Sequence, residues 1–433
     1  MKGQNLYKKA KKIIPGGTML LSKRPEMFLP DYWPAYFSKS KGCHVWDLDG
    51  NKLIDMSIMG IGTNTLGYGN DEVDSAVINV IKKGNLTTLN CPEEVYLAEQ
   101  LLEINGWADF VRFCRTGGEA NALAIRIARA SSGKDKVAIC GYHGWHDWYL
   151  SVNHNSPNEL DDHLLPGLKP YGVPKSLKNT VYPFDYNNFE QLIKICNEND
   201  IGTIKMEVIR NSEPKNDFLQ KVRDLANKRG IVLVFDECTS GFRETFGGIH
   251  KKYSVTPDIA MFGKTIGNGY ALTSVVGIEA VMRSVEDTFI SSTFWTERIG
   301  PTAALKTLEI MKNIKSWELI TDIGLKVREG WSDLFKKYKI DFSISGIPAL
   351  SSYSFKENNL EFQTLITQEM LKKGFLASNR FYSCIAHNNK VLDSYFNALD
   401  ETLNFIYKIK DDKAEIITRL NGPVRHSEFK RLN

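Results

Sequence analysis

The chain has 433 residues, of which 42% are hydrophobic and 24% charged, and its formal net charge is +4. This composition is that of an ordinary globular protein, and the small excess of lysine and arginine argues against a nucleic-acid partner. No stretch approaches the roughly 20 apolar residues of a membrane span, and the N-terminus lacks the apolar centre of a signal peptide, so we expect a cytoplasmic protein with no membrane partner.

The N-terminal part of the chain predicts a β-hairpin. Residues 42–56 read GCHVWDLDGNKLIDM, with alternating strands on either side of Asp49-Gly50, which is a hairpin turn signal. The letters DLDG also resemble the start of a calcium loop. No glutamate stands at the twelfth position of such a loop, so the hairpin is favoured.

Between about residues 110 and 280, short apolar runs alternate with amphipathic stretches, which is typical of a mostly parallel sheet covered by helices. One predicted helix, 119–130, directly follows the first strand, and another, 217–230, ends at Gly230. The predicted strands are 111–115, 136–140, 203–209, 231–237 and 258–262.

After about residue 310 the sequence predicts helices over 316–338 and 389–409, with strands at 340–346 and 351–355. A chain of this length exceeds the size of most single cores, so two domains are expected. We predict a small α+β domain built from residues 1–60 and 310–433, and a large α/β domain over 61–309.

Cysteine and histidine spacing argues against a structural metal or disulfide framework. The seven cysteines include no CxxC pair. His143 and His146 form an i, i+3 pair in YHGWHD, but spacing places no third ligand beside them. We therefore predict no metal site.

Lys264, in MFGKTIGNG, is the lysine whose surroundings carry most information. Its GKT is the tail of a P-loop motif, but Asp258 stands where that motif needs a glycine. A dinucleotide fingerprint fails as well, because Leu272 replaces its third glycine. A solvated turn lysine and a nucleophilic amine at a strand end remain as interpretations.

The preceding strand favours the nucleophile. It ends in Asp236 and Glu237, and a carboxylate there lies at the carboxyl edge of the sheet, where open α/β folds bind their ligands. Lys264 follows its own strand in the same manner. A lysine in a partly dry pocket has a lowered pKa and can act as a nucleophile.

Two further turns complete a ligand site. Gly117 and Gly118 lie between a strand and a helix, where the first helical amides can bind a phosphate. Tyr142 follows strand 136–140, where its ring could stack on a flat ligand, although packing explains a lone tyrosine equally well. With Lys264 and Asp236, these are the parts that hold pyridoxal 5'-phosphate.

Residues 234–248 and 256–272 resemble the signature of class III, fold-type I pyridoxal-phosphate aminotransferases, and the chain is similar to their glutamate-1-semialdehyde aminomutase branch. Other matching segments, in the family's order, are KKIIPGG, TGGEANALAIRIAR, YHGWHD and MEVIRN. The resemblance implies a fold-type I α/β transferase whose large domain has a mostly parallel, seven-stranded sheet.

The resemblance also implies site residues. Lys264 would form the internal Schiff base, and Asp236 would pair with the protonated ring nitrogen. Gly117 and Gly118 would hold the phosphate, with Tyr142 on one ring face. The remaining cofactor-binding residues that it implies are His143, Glu207, Asn211, Cys238 on the other ring face, and Thr293, which would reach the phosphate of the neighbouring subunit in a homodimer.

Two segments bear on the substrate. Residues 292–301, STFWTERIGP, depart from the aminomutase pattern and put Phe294, Trp295, Glu297 and Arg298 where the edge of the site is expected. The family's substrate-binding arginine falls at Lys23 or Arg24.

Three functions follow as hypotheses. The favoured one is an aminotransferase that moves an amino group from a donor, an amino acid such as glutamate, to an aldehyde or ketone acceptor. The second is an intramolecular aminomutase that uses the same residues. The third, a catalytically silent cofactor-binding protein, is disfavoured because every catalytic position of the pattern is present.

Overall fold

The computed structural model describes residues 1–156, 158–163 and 166–428. The chain divides into two compact units, a central unit (Asp71–Glu318) and a terminal unit (Met1–Asn70 with Leu319–Asn433, described as far as residue 428). The domain limits drawn from the sequence remain a prediction. The strands are β1 (Phe37–Lys41), β2 (His44–Asp47), β3 (Lys52–Met56), β4 (Phe110–Cys114), β5 (Lys136–Cys140), β6 (Val181–Pro183), β7 (Ile201–Glu207), β8 (Val232–Asp236), β9 (Ile259–Phe262), β10 (Thr273–Gly277), β11 (Phe342–Ser345), β12 (Leu350–Phe355), β13 (Phe375–Ala377) and β14 (Arg380–Tyr382).

Helices cover much of the remaining described chain, and none of them is long and apolar enough to cross a membrane. Within the described residues they are α1 (Lys2–Ile13), α2 (Met59–Gly62), α3 (Asp71–Ile81), α4 (Pro92–Ile104), α5 (Gly117–Ser132), α6 (Asp147–Leu150), α7 (Phe189–Glu198), α8 (Phe218–Arg229), α9 (Glu279–Met282), α10 (Ile299–Ile314), α11 (Ser316–Lys337), α12 (Asn359–Lys372), α13 (Asn389–Tyr407) and α14 (Lys413–Thr418).

The described part of the central unit contains a seven-stranded sheet in the order β4-β10-β9-β8-β7-β5-β6. Strand β10 is antiparallel to both of its neighbours, and the other pairs are parallel. The carboxyl ends of β4, β9, β8, β7 and β5 therefore share one edge. This is the mostly parallel sheet expected of a fold-type I transferase, so the predicted fold class is confirmed.

Helix α5 covers one face of this sheet, and its sequence explains both of its ends. Thr116 and Glu119 form a capping box at its start, and Gly133, with φ 65°, ends it in the left-handed conformation. Its buried alanine, leucine and isoleucine side chains pack against β8, β9 and β10. Each fully buried aliphatic side chain of this kind contributes roughly 1.5–3 kcal/mol to stability.

The terminal unit contains two smaller sheets, β1-β2-β3-β13 and β11-β12-β14. The predicted hairpin is β2 and β3, which pair antiparallel. Asp47 closes its turn, because one carboxylate oxygen accepts hydrogen bonds from the backbone N–H groups of Asp49 and Asn51. The DLDG segment therefore forms a hairpin turn, in which the Asp47 carboxylate accepts backbone hydrogen bonds.

Some predicted strand limits are wrong. Strand β7 begins at Ile201 and ends at Glu207, whereas the apolar run predicted 203–209. Val208 and Ile209 are buried but lie beyond the sheet. Strands β6 and β10 were not predicted, since one has three residues with a proline and the other is a short run after a glycine-rich turn.

Candidate active site

Two buried carboxylates lie side by side at the carboxyl edge of the central sheet. Glu207 ends β7 and Asp236 ends β8, and the two residues are register partners in this parallel pair. Their exposed fractions are only 5% and 4%. Buried carboxylates need compensating partners, and the surrounding loops supply them.

Asp236 is held by one imidazole and one backbone amide. His143, which follows β5, has its Nδ1 3.0 Å from Asp236 Oδ2, and the Cys238 N–H donates to Oδ1 at 3.2 Å. Burial raises the pKa of the Asp236 carboxyl, but the Lys205 ammonium and the His143 hydrogen bond outweigh burial and hold that pKa below its usual range. Asp236 is therefore an anion at neutral pH.

His143 is completely buried. Its Nδ1 faces a carboxylate, so Nδ1 carries the proton and donates it, and Nε2 is left as the acceptor. Nε2 has no hydrogen-bond partner among the described residues. Burial lowers the pKa of the imidazole, while the bond to Asp236 raises it.

Lys264 follows β9, as predicted, and its amine points to the segment after Asp236. Its Nζ donates a 2.7 Å hydrogen bond to Thr239 Oγ1. Its backbone φ is 46°, in the left-handed region that a residue with a side chain rarely adopts. Burial lowers the pKa of the Lys264 ammonium, and the Cys238 thiolate form opposes this effect. A larger fraction of neutral amine follows.

Cys238 lies between the Lys264 turn and the start of α5. A Cβ built on Gly263 would lie 3.4 Å from its Sγ, and one built on Gly117 would lie 3.9 Å from it. The thiol is 8% exposed, and burial raises its pKa. Lys264, Asp236 and Gly117 thus approach one another around this side chain.

The turn before α5 has two backbone amides without a protein partner. The Glu119 carboxylate accepts the N–H groups of Arg115 and Thr116, and the Glu119 N–H donates to the Thr116 hydroxyl. Within the described chain, the N–H groups of Gly117 and Gly118 take no such partner. The capping box therefore leaves free those two amides at the positive end of a 16-residue helix.

Close packing explains why Gly118 is a glycine. A Cβ at this position would lie 3.2 Å from Cδ2 and Nε2 of His146 and 3.4 Å from Cδ1 of Trp145. Gly144 approaches equally closely, since its own Cβ would lie 3.0 Å from Gly118 Cα. The loop after β5 therefore rests directly on the turn before α5.

Tyr142 is fixed beside Glu207. Its backbone N–H donates to Glu207 Oε2 at 3.0 Å, and the Arg210 guanidinium lies 5.8 Å from the centre of its ring. Gly141 has φ 110° and no room for a side chain, because a Cβ there would lie 2.5 Å from Glu207 Oε2. The ring is partly exposed and has a defined position.

The structure brings most of the predicted site residues together at the sheet edge, and the remaining ones stay predictions. Asn211 and Thr293 are exposed. Lys23 and Arg24 belong to the terminal unit, where Arg24 lies against Gly16. Grouped around the sheet edge are Gly117, Gly118, Tyr142, His143, Glu207, Asp236, Cys238 and Lys264.

Three residues of the segment 292–301 bind the protein's own side chains. The Trp295 indole donates to Glu119 at 3.2 Å, Glu297 pairs with Arg115 at 2.8 Å, and Arg298 pairs with Glu93. Phe294 is 70% exposed. Two of the charges that the sequence placed at the site edge are thus already paired within the central unit.

Sequence reasoning missed three residues beside the site. Thr239 accepts a hydrogen bond from the Lys264 amine, and Glu119 orders the turn before α5. Lys205 is a buried cation that lowers the pKa of Asp236. A signal existed for Glu119, since a threonine followed three residues later by glutamate is the capping-box pattern. It existed for Lys205 too, because it is a cation inside an otherwise apolar strand, two residues before Glu207. Thr239 had no distinguishing signal.

Comparison with known proteins gives consistent results. Residues 30–386 match the family model described as "Aminotransferase class-III". A protein from Cloacimonas acidaminovorans named 3-aminobutyryl-CoA aminotransferase is 32% identical, over 94% of this chain and 98% of its own. A glutamate-1-semialdehyde 2,1-aminomutase from Methanothrix thermoacetophila is 32% identical over 81% of each chain. The structure of the FumI protein of Sphingopyxis sp. MTA144, solved in its PLP internal aldimine form, is 22% identical with a TM-score of 0.85, covering 95% of this chain and 97% of that one.

Proposed function

This chain belongs to the class-III aminotransferases, a family of pyridoxal-phosphate enzymes, and we propose that Lys264 and Asp236 are the residues that carry out its amino-group transfer. When bound, pyridoxal 5'-phosphate withdraws electrons from the carbon that carries the transferred nitrogen. The donor is an amino acid such as glutamate, and the acceptor is an aldehyde or a ketone. The observation that carries the proposal is the convergence of a buried anion and a strand-end amine around Cys238.

The described residues fit this cofactor. Its phosphate would be held by the N–H groups of Gly117 and Gly118, which the capping box leaves without a partner. Its ring nitrogen would be held by Asp236, an anion with His143 on its other oxygen. Its ring faces would be covered by Tyr142 and Cys238. Glu207, which accepts the Tyr142 N–H, would hold that ring in place.

Lys264 has two tasks in this proposal. Its neutral amine, favoured by burial, would hold the cofactor at the cofactor's aldehyde carbon. With the donor bound in its place, the same Nζ would be the group that accepts a proton and gives it back. Thr239 orients the amine through its hydroxyl while the amine is free.

Asp236 keeps the ring nitrogen protonated. A carboxylate with a lowered pKa stays ionised, so it can accept a hydrogen bond from that nitrogen. His143 fixes the orientation of the carboxylate through Oδ2. Both side chains are buried, so water does not compete for these bonds.

Lys264→Ala tests the proposal. We expect the purified variant to bind pyridoxal phosphate but to give no borohydride-trapped peptide at position 264, and to lose at least about 10³-fold in turnover, because both tasks disappear. The exposed Lys252 is the matched control, and Lys252→Ala should be trapped and active like the unmodified protein. Trapping at another lysine would contradict the assignment.

An intramolecular aminomutase is the second candidate, since several similar proteins carry that name. The two candidates differ in the need for a second substrate. A transaminase mixed with glutamate alone should bleach the visible band of the bound cofactor and release a keto acid. Isomerisation of glutamate 1-semialdehyde, with no bleaching by any free donor, would select the aminomutase.

The name of the Cloacimonas relative supplies the first substrate to test. A 3-aminoacyl thioester of coenzyme A carries its amine on the third carbon, so the matching acceptor is a 3-oxoacyl thioester. A panel of glutamate, alanine and 3-aminobutyryl-CoA as donors, each read by bleaching of the cofactor, would separate these classes.

We also infer a homodimer with Thr293 near the phosphate site of the partner subunit. The support is an exposed apolar surface on the central unit. Leu89 is 81% exposed and Phe294 is 70% exposed, and their loops meet where the Arg298 N–H donates to the Asn85 carbonyl. A mass measurement in solution tests this inference, and Phe294→Glu should shift a dimer toward the monomer.

We further infer a cytoplasmic location. All seven cysteines are free thiols, as expected in a reducing compartment. Cell fractionation with an antibody to the protein would test it, and recovery in a secreted or membrane fraction would overturn it.

A further inference from the structure

Lys205 lies in the middle of the central sheet and is not among the residues that would hold the cofactor. It belongs to β7, every residue of which is buried, and its own side chain is completely buried. Lysine is rarely found in such a position without a compensating partner. We propose that Lys205 is a positioning residue whose ammonium lowers the affinity of Asp236 for the proton that it shares with the cofactor ring nitrogen, an inference that rests on the proposed role of Asp236.

Strand register puts Lys205 on the same sheet face as the two carboxylates. Side chains two residues apart on a strand share a face, so Lys205 and Glu207 point to the same side. Lys205 is the register partner of Val234 on β8, and Glu207 is the partner of Asp236. The Lys205 side chain therefore leaves the strand two residues before the carboxylates, on the same face of the sheet.

The lysine side chain then crosses over β8. Its Nζ donates to Met261 Sδ at 3.0 Å, and Met261 is the register partner of Asp236 on the next strand, β9. The Lys205 amine from β7 and the Met261 sulfur from β9 therefore meet across β8, the strand that ends in Asp236. Neighbouring strands are only about 4.8 Å apart, so the ammonium comes close to this carboxylate.

The sulfur is a poor partner for an ammonium. Among the described residues it is the only hydrogen-bond acceptor that Lys205 has, and a thioether accepts weakly. The positive charge is therefore compensated mainly by the carboxylates at a distance. In this arrangement the field of Lys205 acts on Asp236 without a direct ion pair that would neutralise either group.

Within the described chain, Lys205 is the lysine whose ammonium lowers the pKa of Asp236. The titratable groups facing Lys205 are Glu207 on its own strand, Asp236 and Cys238 from β8 and the turn after it, and His143 from the loop after β5. Helix α5, packed on this face, buries alanine, leucine, isoleucine and Asn121 and no titratable side chain. Burial lowers the pKa of Lys205, while Asp236, Cys238 and Glu207 raise it.

The consequence concerns the ring nitrogen. A cation beside Asp236 makes the carboxylate a weaker proton acceptor, so the nitrogen bonded to it loses its proton more readily. Lys205 thus limits how strongly the ring is held in its protonated, electron-withdrawing form. Removal of the Lys205 charge should therefore make the ring nitrogen keep its proton to a higher pH.

Lys205→Met is the test, since methionine has a similar length and meets Met261 with an apolar end. The holoenzyme is prepared with pyridoxal phosphate carrying ¹⁵N in the ring, and the ¹⁵N chemical shift is followed against pH. We expect the pH at which the ring nitrogen loses its proton to rise by about one unit in the variant, from the Coulomb energy of one charge at this range. Lys205→Gln should raise the same pH value. This variant replaces Lys205→Met if the methionine variant does not fold.

Lys136→Met is the matched control. Lys136 begins β5, at the opposite end of the parallel strands from Asp236, and its Nζ binds Asn199 Oδ1 at 3.0 Å. Its removal should leave the ring titration unchanged. An equal shift in this control, or no shift in the Lys205 variants, would overturn the inference.

Failure of the proposed function would look different. In the unmodified protein, the Lys205 variants and the Lys136 control, the labelled cofactor is trapped with borohydride and the labelled peptide is identified. Absence of label at Lys264 would contradict the proposed function, whereas label at Lys264 with an unmoved ring titration contradicts only the role of Lys205.

Discussion

His143 and His387 are both completely buried, and burial lowers the pKa of both imidazoles, but the regions around them use the ring in different ways. In the terminal unit, His387 Nδ1 accepts the Cys384 N–H at 3.1 Å, and its Nε2 lies 2.8 Å from the Asp55 carbonyl oxygen. Both nitrogens are satisfied by backbone. In the central unit, His143 binds the carboxylate of Asp236, and its Nε2 has no partner within the described chain.

In the proposed function, this difference separates a structural histidine from one that serves the site. Buried polar groups in native proteins are nearly always paired, and an unpaired one calls for an explanation. His387 ties together residues far apart in sequence and needs nothing further. Within the described chain, His143 Nε2 has no partner, and Asp236 forms no ion pair with a lysine or arginine. This arrangement supports the proposal that Asp236 receives a cationic group of the cofactor.

The largest effect is expected from Asp236→Asn. An amide cannot hold the ring nitrogen protonated, so kcat/KM should fall by about 10³-fold, while the borohydride trap at Lys264 remains. Steady-state kinetics and peptide mapping measure the two effects. Asp147→Asn, at an exposed aspartate of the same YHGWHD segment, should be unaffected. Turnover of the Asp236 variant within tenfold of the unmodified protein would show that this carboxylate does not control the ring.

A pH-dependent loss of stability should come from the terminal unit. Burial lowers the pKa of His387 to about 4, and the bond to the Asp55 carbonyl opposes this effect. Between pH 6.5 and 4, His387 is protonated in the unfolded chain, where its pKa is near 6.5, but stays neutral in the folded chain. Stability is therefore full above pH 6.5 and is lost as pH falls toward 4, by at most about 3 kcal/mol.

Melting temperatures across this pH window measure the loss. His387→Gln removes the titrating group and should flatten the profile between pH 6.5 and 4 while leaving kcat/KM unchanged at neutral pH. An unchanged profile in this variant would mean that another group governs the acid side.

His143→Gln should show the opposite pattern. Loss of the imidazole loosens Asp236, so kcat/KM should fall by about tenfold, the cost of one hydrogen bond to a charged group. Melting at neutral pH should change less than in His387→Gln. If the two variants gave the same pattern, the distinction between the two histidines would fail.

The smallest effect is expected at the partly exposed edge of the central unit. Trp295→Phe removes the indole N–H that reaches Glu119, the residue that orders the turn before α5. Cofactor affinity should fall by about two- to fivefold, because the bond is partly exposed and Glu119 keeps its backbone partners. Fluorescence titration of the apoprotein measures it. Phe289→Leu, at a phenylalanine that is 84% exposed, is the control.

Much of the central unit could be predicted because its strands are short apolar runs separated by glycine and polar turns. Strand β5 matches the prediction residue for residue, and Gly230 ends α8 in the left-handed conformation. The apolar run at β7 misled, since Val208 and Ile209 are buried by packing outside the sheet. Periodicity cannot distinguish these two kinds of burial.

The site was predictable where a side chain follows a strand, as Asp236 and Lys264 do. The charged residues around the site were not predictable, because their positions depend on contacts between segments that are distant in sequence. Lys205, for example, contacts Met261, 56 residues away. The pairing of Glu297 with Arg115 is of the same kind, since nothing local in STFWTERIGP shows that its charges are already occupied.

The left-handed backbone of Lys264 has a consequence for the evolution of this chain. A residue with a Cβ in that conformation is less stable than glycine by roughly 1 kcal/mol, and its buried amine adds a further penalty. Under the proposed function, the fold thus tolerates a strained residue where the chemistry requires a lysine. In a descendant released from selection for amino-group transfer, stability would then favour substitution of this lysine by glycine or asparagine.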